Sequence, residues 1–296
     1  MESDFFAANR NNLISRMGGG AVVLTAYSSL QLTGDAEVSF RQEANFWYLT
    51  GIEEPDWQLI VDGARGKSWL VAPHVSDVTA IFNGSLSKEK AKEISGVDAV
   101  ILRDEADDLL REIAKKHSLV YSLDDDPHAK YYSFILNPAQ KKLWNRLDRI
   151  FNDVQDCRGE LAKLRAIKQP KELMAMKKAI NLTVEAFTFV KDQLSQLHHE
   201  YEVEAEFTYH FRHHGAEGHA YDPIVASGKN ACTLHYGSNN SKLKKGTLLL
   251  LDIGARTDGY AADITRTYAI GKPGKRAAAV HSAVVRAHND IVELLT

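Results

Sequence analysis

Leu248-Leu249-Leu250-Leu251-Asp252-Ile253-Gly254-Ala255-Arg256-Thr257-Asp258-Gly259-Tyr260-Ala261-Ala262-Asp263-Ile264-Thr265-Arg266-Thr267-Tyr268 reads as two apolar strands joined at Thr257-Asp258-Gly259. Asp-Gly between two apolar runs is a hairpin signal. Each arm carries one aspartate where a hydrophobic residue is expected. A two-residue turn at Thr257-Asp258 sets Asp252 opposite Asp263, whereas one at Asp258-Gly259 sets Asp252 opposite Thr265 and diagonal to Asp263. The carboxylates share a face in both registers, because side chains alternate with period two, and only an odd-numbered loop separates them.

Opposed side chains on one sheet face stand about 4.5 to 5.5 Å apart at Cβ, close enough for like charges to be costly. A divalent metal with oxygen ligands would neutralise the pair. A shared proton, or a bond from one aspartate to Arg266 or to backbone amides, would also do so. Spacing alone leaves these alternatives open.

Asp252-Ile253-Gly254 and Asp263-Ile264-Thr265 resemble, position by position, the Asp-x-Gly and Asp-x-Thr strands of the pita-bread family that holds aminopeptidase P, prolidase, methionine aminopeptidase and creatinase. Upstream, Ile224-Val225-Ala226-Ser227-Gly228, then Asn230, then His235-Tyr236 resembles the segment that carries the family's active-site histidine. Phe40 to Gly51, continued by Glu54-Pro55-Asp56, is similar to the amino-terminal domain of aminopeptidase P and prolidase. The likeness implies a dinuclear metallopeptidase with Asp252 and Asp263 as metal ligands and His235 as a catalytic residue. It implies Xaa-Pro dipeptidase activity, with an Xaa-Pro aminopeptidase or a non-catalytic binding protein as alternatives.

The same resemblance implies two divalent metal ions, manganese first, with cobalt or zinc compatible with carboxylate ligands. It also implies a proline-containing peptide as substrate and a homodimer or tetramer formed through the first domain. In the family one histidine and two glutamates complete the metal site from the later half of the fold. Neither a His-x-x-Gly-His nor a Glu-Pro-Gly segment follows Asp263 here. The helix expected from Lys275 onward has no stop signal. The sequence is therefore expected to be a fragment, inactive alone, with the missing carboxy-terminal piece as a partner.

The 296 residues suffice for two domains with cores of their own. The expected fold is an α/β creatinase-like amino-terminal domain over 1–160, followed by the first half of an α+β pita-bread domain over 161–296. Composition, at 44% hydrophobic and 25% charged, is that of a soluble globular protein. A net charge of -3 gives no reason to expect nucleic acid or an anionic membrane as a partner. Cys157 and Cys232, far apart in sequence, suit a reducing compartment, and with no long apolar run at the start the expected location is the cytoplasm.

Along the chain, a helix over Phe5 to Met17 is stopped by Gly18-Gly19-Gly20, and Ala21 to Tyr27 reads as a buried strand. The aromatic Phe40 to Gly51 reads as core plus a strand, and Pro138 to Ile167 as charged and helical. Strands at Trp57–Val61, Ser68–Ala72, Ala99–Leu102 and Leu119–Leu123 alternate with helices at Lys88–Ser95 and Asp104–Lys116, which implies a mixed or parallel sheet. A long helix opens at Pro170, and a second spans Val203 to His214. His210 and His214 have the spacing of a zinc pair but lack the glutamate of His-Glu-x-x-His, so they read as surface or supporting residues, and His219 as a loop residue. Thr265 is placed to orient Asp263.

Overall fold

Period-two alternation in the first half of the chain has a direct structural result: Val22, Leu24, Leu59 and Leu70 enter one core, while Val23, Ile60, Val71 and Val120 enter another. Those two cores lie on opposite faces of one sheet. The computed structural model describes residues 1–295, except the side chains of Pro127 and Lys130. The last residue of the expected carboxy-terminal helix lies outside that range.

The chain divides into two units, Met1–Ile167 and Lys168 onward. In order the first contains α1 (Ser3–Arg16), β1 (Ala21–Thr25), β2 (Gln31–Thr33), β3 (Ala36–Glu37), α2 (Ala44–Thr50), β4 (Gln58–Asp62), β5 (Lys67–Val71), α3 (Asp77–Asn83), α4 (Lys88–Ser95), β6 (Ala99–Ile101), α5 (Arg103–Ala114), β7 (Leu119–Ser122), α6 (Pro127–Tyr132), α7 (Pro138–Leu147), β8 (Asp153–Asp156) and α8 (Arg158–Ala166). Among the described residues its main sheet has six strands in the order β6-β5-β4-β1-β7-β8. The sheet is mixed: β1, β4 and β5 pair antiparallel, and β6, β7 and β8 join parallel. Phe5, Phe46, Tyr48 and Leu161 cover one face, and Leu110, Ile113, Leu143 and Leu147 the other. Each fully buried side chain of this size stabilises the fold by about 1.5 to 3 kcal/mol.

Three details differ from the sequence expectation. Residue 160 falls inside α8, whose Leu161 is fully buried in the first unit's core, so the division follows this helix instead of preceding it. The aromatic stretch forms the helix α2, not a strand, because both of its ends are capped. Glu43 accepts from the Phe46 amide at 2.6 Å, and Gly51 closes the helix at φ 69°, the left-handed stop that glycine adopts without strain. Asp153–Asp156 is an added edge strand with only Val154 apolar, a charged edge that hides its strand character in the sequence.

The second unit holds α9 (Pro170–Gln193), α10 (Glu200–His213), β9 (Gly218–His219), β10 (Ile224–Ser227), β11 (Leu248–Ile253), β12 (Ala255–Thr257), β13 (Tyr260–Ala261), β14 (Ile264–Ala269) and α11 (Lys275–Leu295). Leu249, Leu251 and Ile253 of β11 pack on Ala186, Phe187 and Val190 of α9 and on Phe207 and Phe211 of α10. Leu248, Leu250 and Asp252 alternate onto the other, half-buried face. None of the described residues of α11 is buried. Among the described residues no helix is long and apolar enough to cross a membrane.

Candidate metal centre

The ribbon that carries the two aspartates changes sheets partway along. Its first half pairs in the order β10-β11-β14, and its second half in the order β13-β12-β9. The switch comes at Gly254, where a Cβ atom would lie 1.7 Å from the Ala262 carbonyl oxygen and 3.3 Å from the Asp263 amide. Only glycine allows backbones this close. Beyond it, the Ala255 amide donates to Thr183 Oγ1 at 2.9 Å, the Tyr260 hydroxyl to Glu172 Oε1 at 2.8 Å, and Lys178 Nζ to Asp258 at 2.8 Å. These bonds tie the hairpin tip to α9.

Thr257 pairs with Tyr260, and Asp258 and Gly259 have φ of 53° and 75°, the two positive values of a type I′ turn. The same register carries through β11 and β14, so Asp252 faces Thr265 and Ile253 faces Ile264. Of the two registers open from the sequence, the structure adopts the diagonal one. Arg266 turns its Nη1 to the Thr265 carbonyl at 2.8 Å.

Both carboxylates meet at Tyr221. Its hydroxyl is 2.5 Å from Asp252 Oδ1 and 3.2 Å from Asp263 Oδ1. A phenol has one proton to donate, and the shorter contact takes it. Asp263 is left facing an oxygen that has no second hydrogen to give. Burial first, then the hydrogen bond and charge of Asp252 and the charge of Asp263, push the Tyr221 hydroxyl far above the ordinary phenol range. The phenol therefore stays protonated, and the half-buried Asp252 and the exposed Asp263 share its one proton.

Two converging carboxylates suit a hard divalent cation, since Mg²⁺, Mn²⁺ and similar ions are held by carboxylate oxygens. Asp252 and Asp263 fit that role by chemistry and by convergence. Among the described residues no group of three or more His, Cys, Asp or Glu side chains could hold a metal ion.

His235 lies in an exposed turn after a 3-10 segment at Gly228–Cys232. Among the described residues no hydrogen bond joins it to Asp252 or Asp263. The loop that carries it is bonded to Glu200, a fully buried carboxylate at the start of α10. Tyr221 and Glu200 are the two site-building residues that sequence reasoning missed. For Tyr221 the available signal was its place just ahead of β10, whose Ile224 pairs with Asp252.

The histidines of α10 do not converge on a ligand. His210 is buried, its ring lies 4.3 Å from that of His214, and His214 Nδ1 bonds to the His210 carbonyl at 2.8 Å. Burial, then the neighbouring His214, hold His210 below the ordinary imidazole range and so favour its neutral form. His219 belongs to the short strand β9, not to a loop, and Nε2 meets Thr208 Oγ1 at 2.8 Å.

Two family descriptions match the chain: "Metallopeptidase family M24" over residues 174–296 and "Aminopeptidase P, N-terminal domain" over residues 6–121. The Xaa-Pro aminopeptidase of Escherichia coli (strain K12) is 31% identical over 274 residues, covering 90% of this chain and 62% of the relative. The Xaa-Pro aminopeptidase of Haemophilus influenzae is 28% identical and covers 98% of this chain and 66% of the relative. The chain thus spans less than two thirds of the length of these relatives. Among solved structures, proline aminopeptidase P II from Yersinia pestis superposes with a TM-score of 0.80 at 29% identity, over 98% of this chain and 68% of that one.

Proposed function

Because the chain belongs to the pita-bread metallopeptidases of family M24, with an aminopeptidase P amino-terminal domain ahead of the M24 domain, we propose that it serves metal-dependent hydrolysis of Xaa-Pro peptide bonds. Asp252 and Asp263 are the proposed metal ligands and His235 the proposed catalytic residue. The observation that carries this reading is the convergence of two carboxylates on one phenolic oxygen.

The family implies divalent metal ions, and manganese is the proposed identity, with cobalt or zinc as substitutes. Bound there, such ions would polarise the substrate carbonyl and lower the pKa of a water. The chain's own residues do the rest. Tyr221 fixes the orientation of Asp252 by donating to it. Thr265 stands opposite Asp252 on the neighbouring strand. The exposed His235 is free to hydrogen-bond a substrate oxygen as negative charge builds on it.

Between the two Xaa-Pro activities expected from the sequence, the names of the relatives favour the aminopeptidase over the dipeptidase. A tripeptide and a dipeptide with proline second would separate them. Two carboxylates are few ligands for a two-metal site. The chain on its own is therefore proposed to bind metal weakly and to turn over peptides little, and a homodimer or tetramer in the cytoplasm is its proposed setting.

The direct test is calorimetric titration of MnCl2 into a preparation shown by mass spectrometry to contain only this chain, with D252N and D263N in parallel. Weak saturable binding that both substitutions abolish is the expected result. Equal binding by wild type and both variants would remove the proposal, and brisk Xaa-Pro hydrolysis would remove its claim of low activity.

A further inference from the structure

Glu200 has no exposed surface, and every acceptor site on it is engaged. Oε1 accepts from the Ser227 amide at 2.7 Å and from Asn230 Nδ2 at 2.9 Å. Oε2 accepts from the Tyr236 hydroxyl at 2.8 Å and from the Ser241 amide at 3.0 Å. Burial raises a carboxyl, but here the bonds from Ser227, Ser241 and Asn230 outweigh it and hold Glu200 below the ordinary range. The group is an anion at neutral pH, and charge-assisted bonds are the stronger kind.

The four donors come from both ends and the middle of one loop. Ser227 ends β10, Ser241 closes the loop, Asn230 and Tyr236 lie within it, and Tyr236 is the neighbour of His235. Leu234 is 89% exposed and His235 is also exposed, so apolar burial does not set the turn that presents the imidazole. Polar clasps must do it.

A second clasp gives the direction. Buried Asn239, at φ 41°, accepts from the Val225 amide at 3.1 Å and donates to the Pro223 carbonyl at 2.8 Å. Those residues flank Ile224, whose partner across the sheet is Asp252. The loop leaves β10 at Ser227, which pairs with Leu249, and doubles back to the level of the acid pair.

We propose that Glu200 is a positioning residue for His235: by gathering both loop ends and Tyr236 onto one buried carboxylate, it fixes where the imidazole stands relative to Asp252 and Asp263. The proposal rests on the reading of His235 as the catalytic residue.

Amide hydrogen exchange and trypsin cleavage after Lys229 in the full chain test it, with E200Q and Y236F as variants. Both should raise exchange across Asn230 to Tyr236, and cleavage, by about tenfold or more, while Val225 and Leu251 change less than about twofold. The ring resonances of His235 should shift in both variants and those of His219 should not. Unchanged loop protection in the two variants, or an equal rise in loop and strands, would overturn the proposal, the second outcome reducing Glu200 to an ordinary fold residue. If E200Q does not fold, Y236F decides by the same criteria. An H235A variant assayed for residual Mn²⁺-dependent Xaa-Pro turnover separates the two layers: turnover unchanged in H235A, with the loop released as described in E200Q, would defeat the catalytic assignment and leave the clamp standing.

Discussion

Two acidic places in the second unit differ in depth and in their supply of protein donors: Asp252 is half-buried and Asp263 exposed, whereas Glu200 is sealed from water. Glu200, fully buried, receives four hydrogen bonds. Asp252 and Asp263 share the single proton of Tyr221. Glu43 in the first unit lies between these extremes: it accepts from Phe46 and Asn45, yet burial still pushes its carboxyl above the ordinary range. Depth alone does not decide whether a buried carboxylate is comfortable; the number of donors does. The fully served, buried acid reads as architecture, and the more open pair at Tyr221 is the proposed cation site.

The largest expected effect breaks the first half of this contrast. E200A would leave the Ser227 and Ser241 amides without their acceptor, and urea unfolding should show a loss of about 3 kcal/mol. A loss under about 1 kcal/mol would mean that the knot contributes little. D252N and D263N should behave in the opposite sense. Removing one of two like charges should leave apo stability unchanged or slightly higher, while Mn²⁺ affinity falls about 10- to 100-fold or more. Thermal melts with and without MnCl2 would show it, and a marked loss of apo stability would assign the pair a structural duty instead.

Y221F sharpens the comparison by removing the hydroxyl that the pair shares. It should weaken Mn²⁺ binding about tenfold by calorimetry, because Asp252 loses the group that orients it. The smallest effect concerns pH. Glu200 is held below its ordinary value of 4.5, so its stabilisation is present above that pH and is lost as pH falls through the lowered value. Glu43 is held above the same ordinary value, so its contribution weakens as pH rises through the raised value. Stability measured between about pH 3 and 7 should therefore become flatter on the acid side in E200Q, whereas E43Q should remove a penalty on the neutral side.

Much of this was legible in the residues. The run Leu248 to Leu251 and the Asp258-Gly259 pair give the ribbon, and parity alone puts both aspartates on one face. The choice of register was not legible. It depends on ties such as Ala255 to Thr183, 72 residues away in sequence. Tyr221 and Glu200 were missed for the same reason, their partners lying 31 and 27 to 41 positions away. The helix α2 is hard to see in the sequence because its aromatic bulk resembles a strand, while the signal for helix sits in its caps, Glu43 and Gly51.

Gly254 sets a limit on how this protein can vary. The opposite backbone occupies the space that even a methyl group would need, at 1.7 Å. Replacement by alanine must therefore push the two arms apart just where Asp263 joins its strand. In a saturation library scored for metal retention, codon 254 should tolerate no alternative, although glycine has no side chain with which to hold an ion.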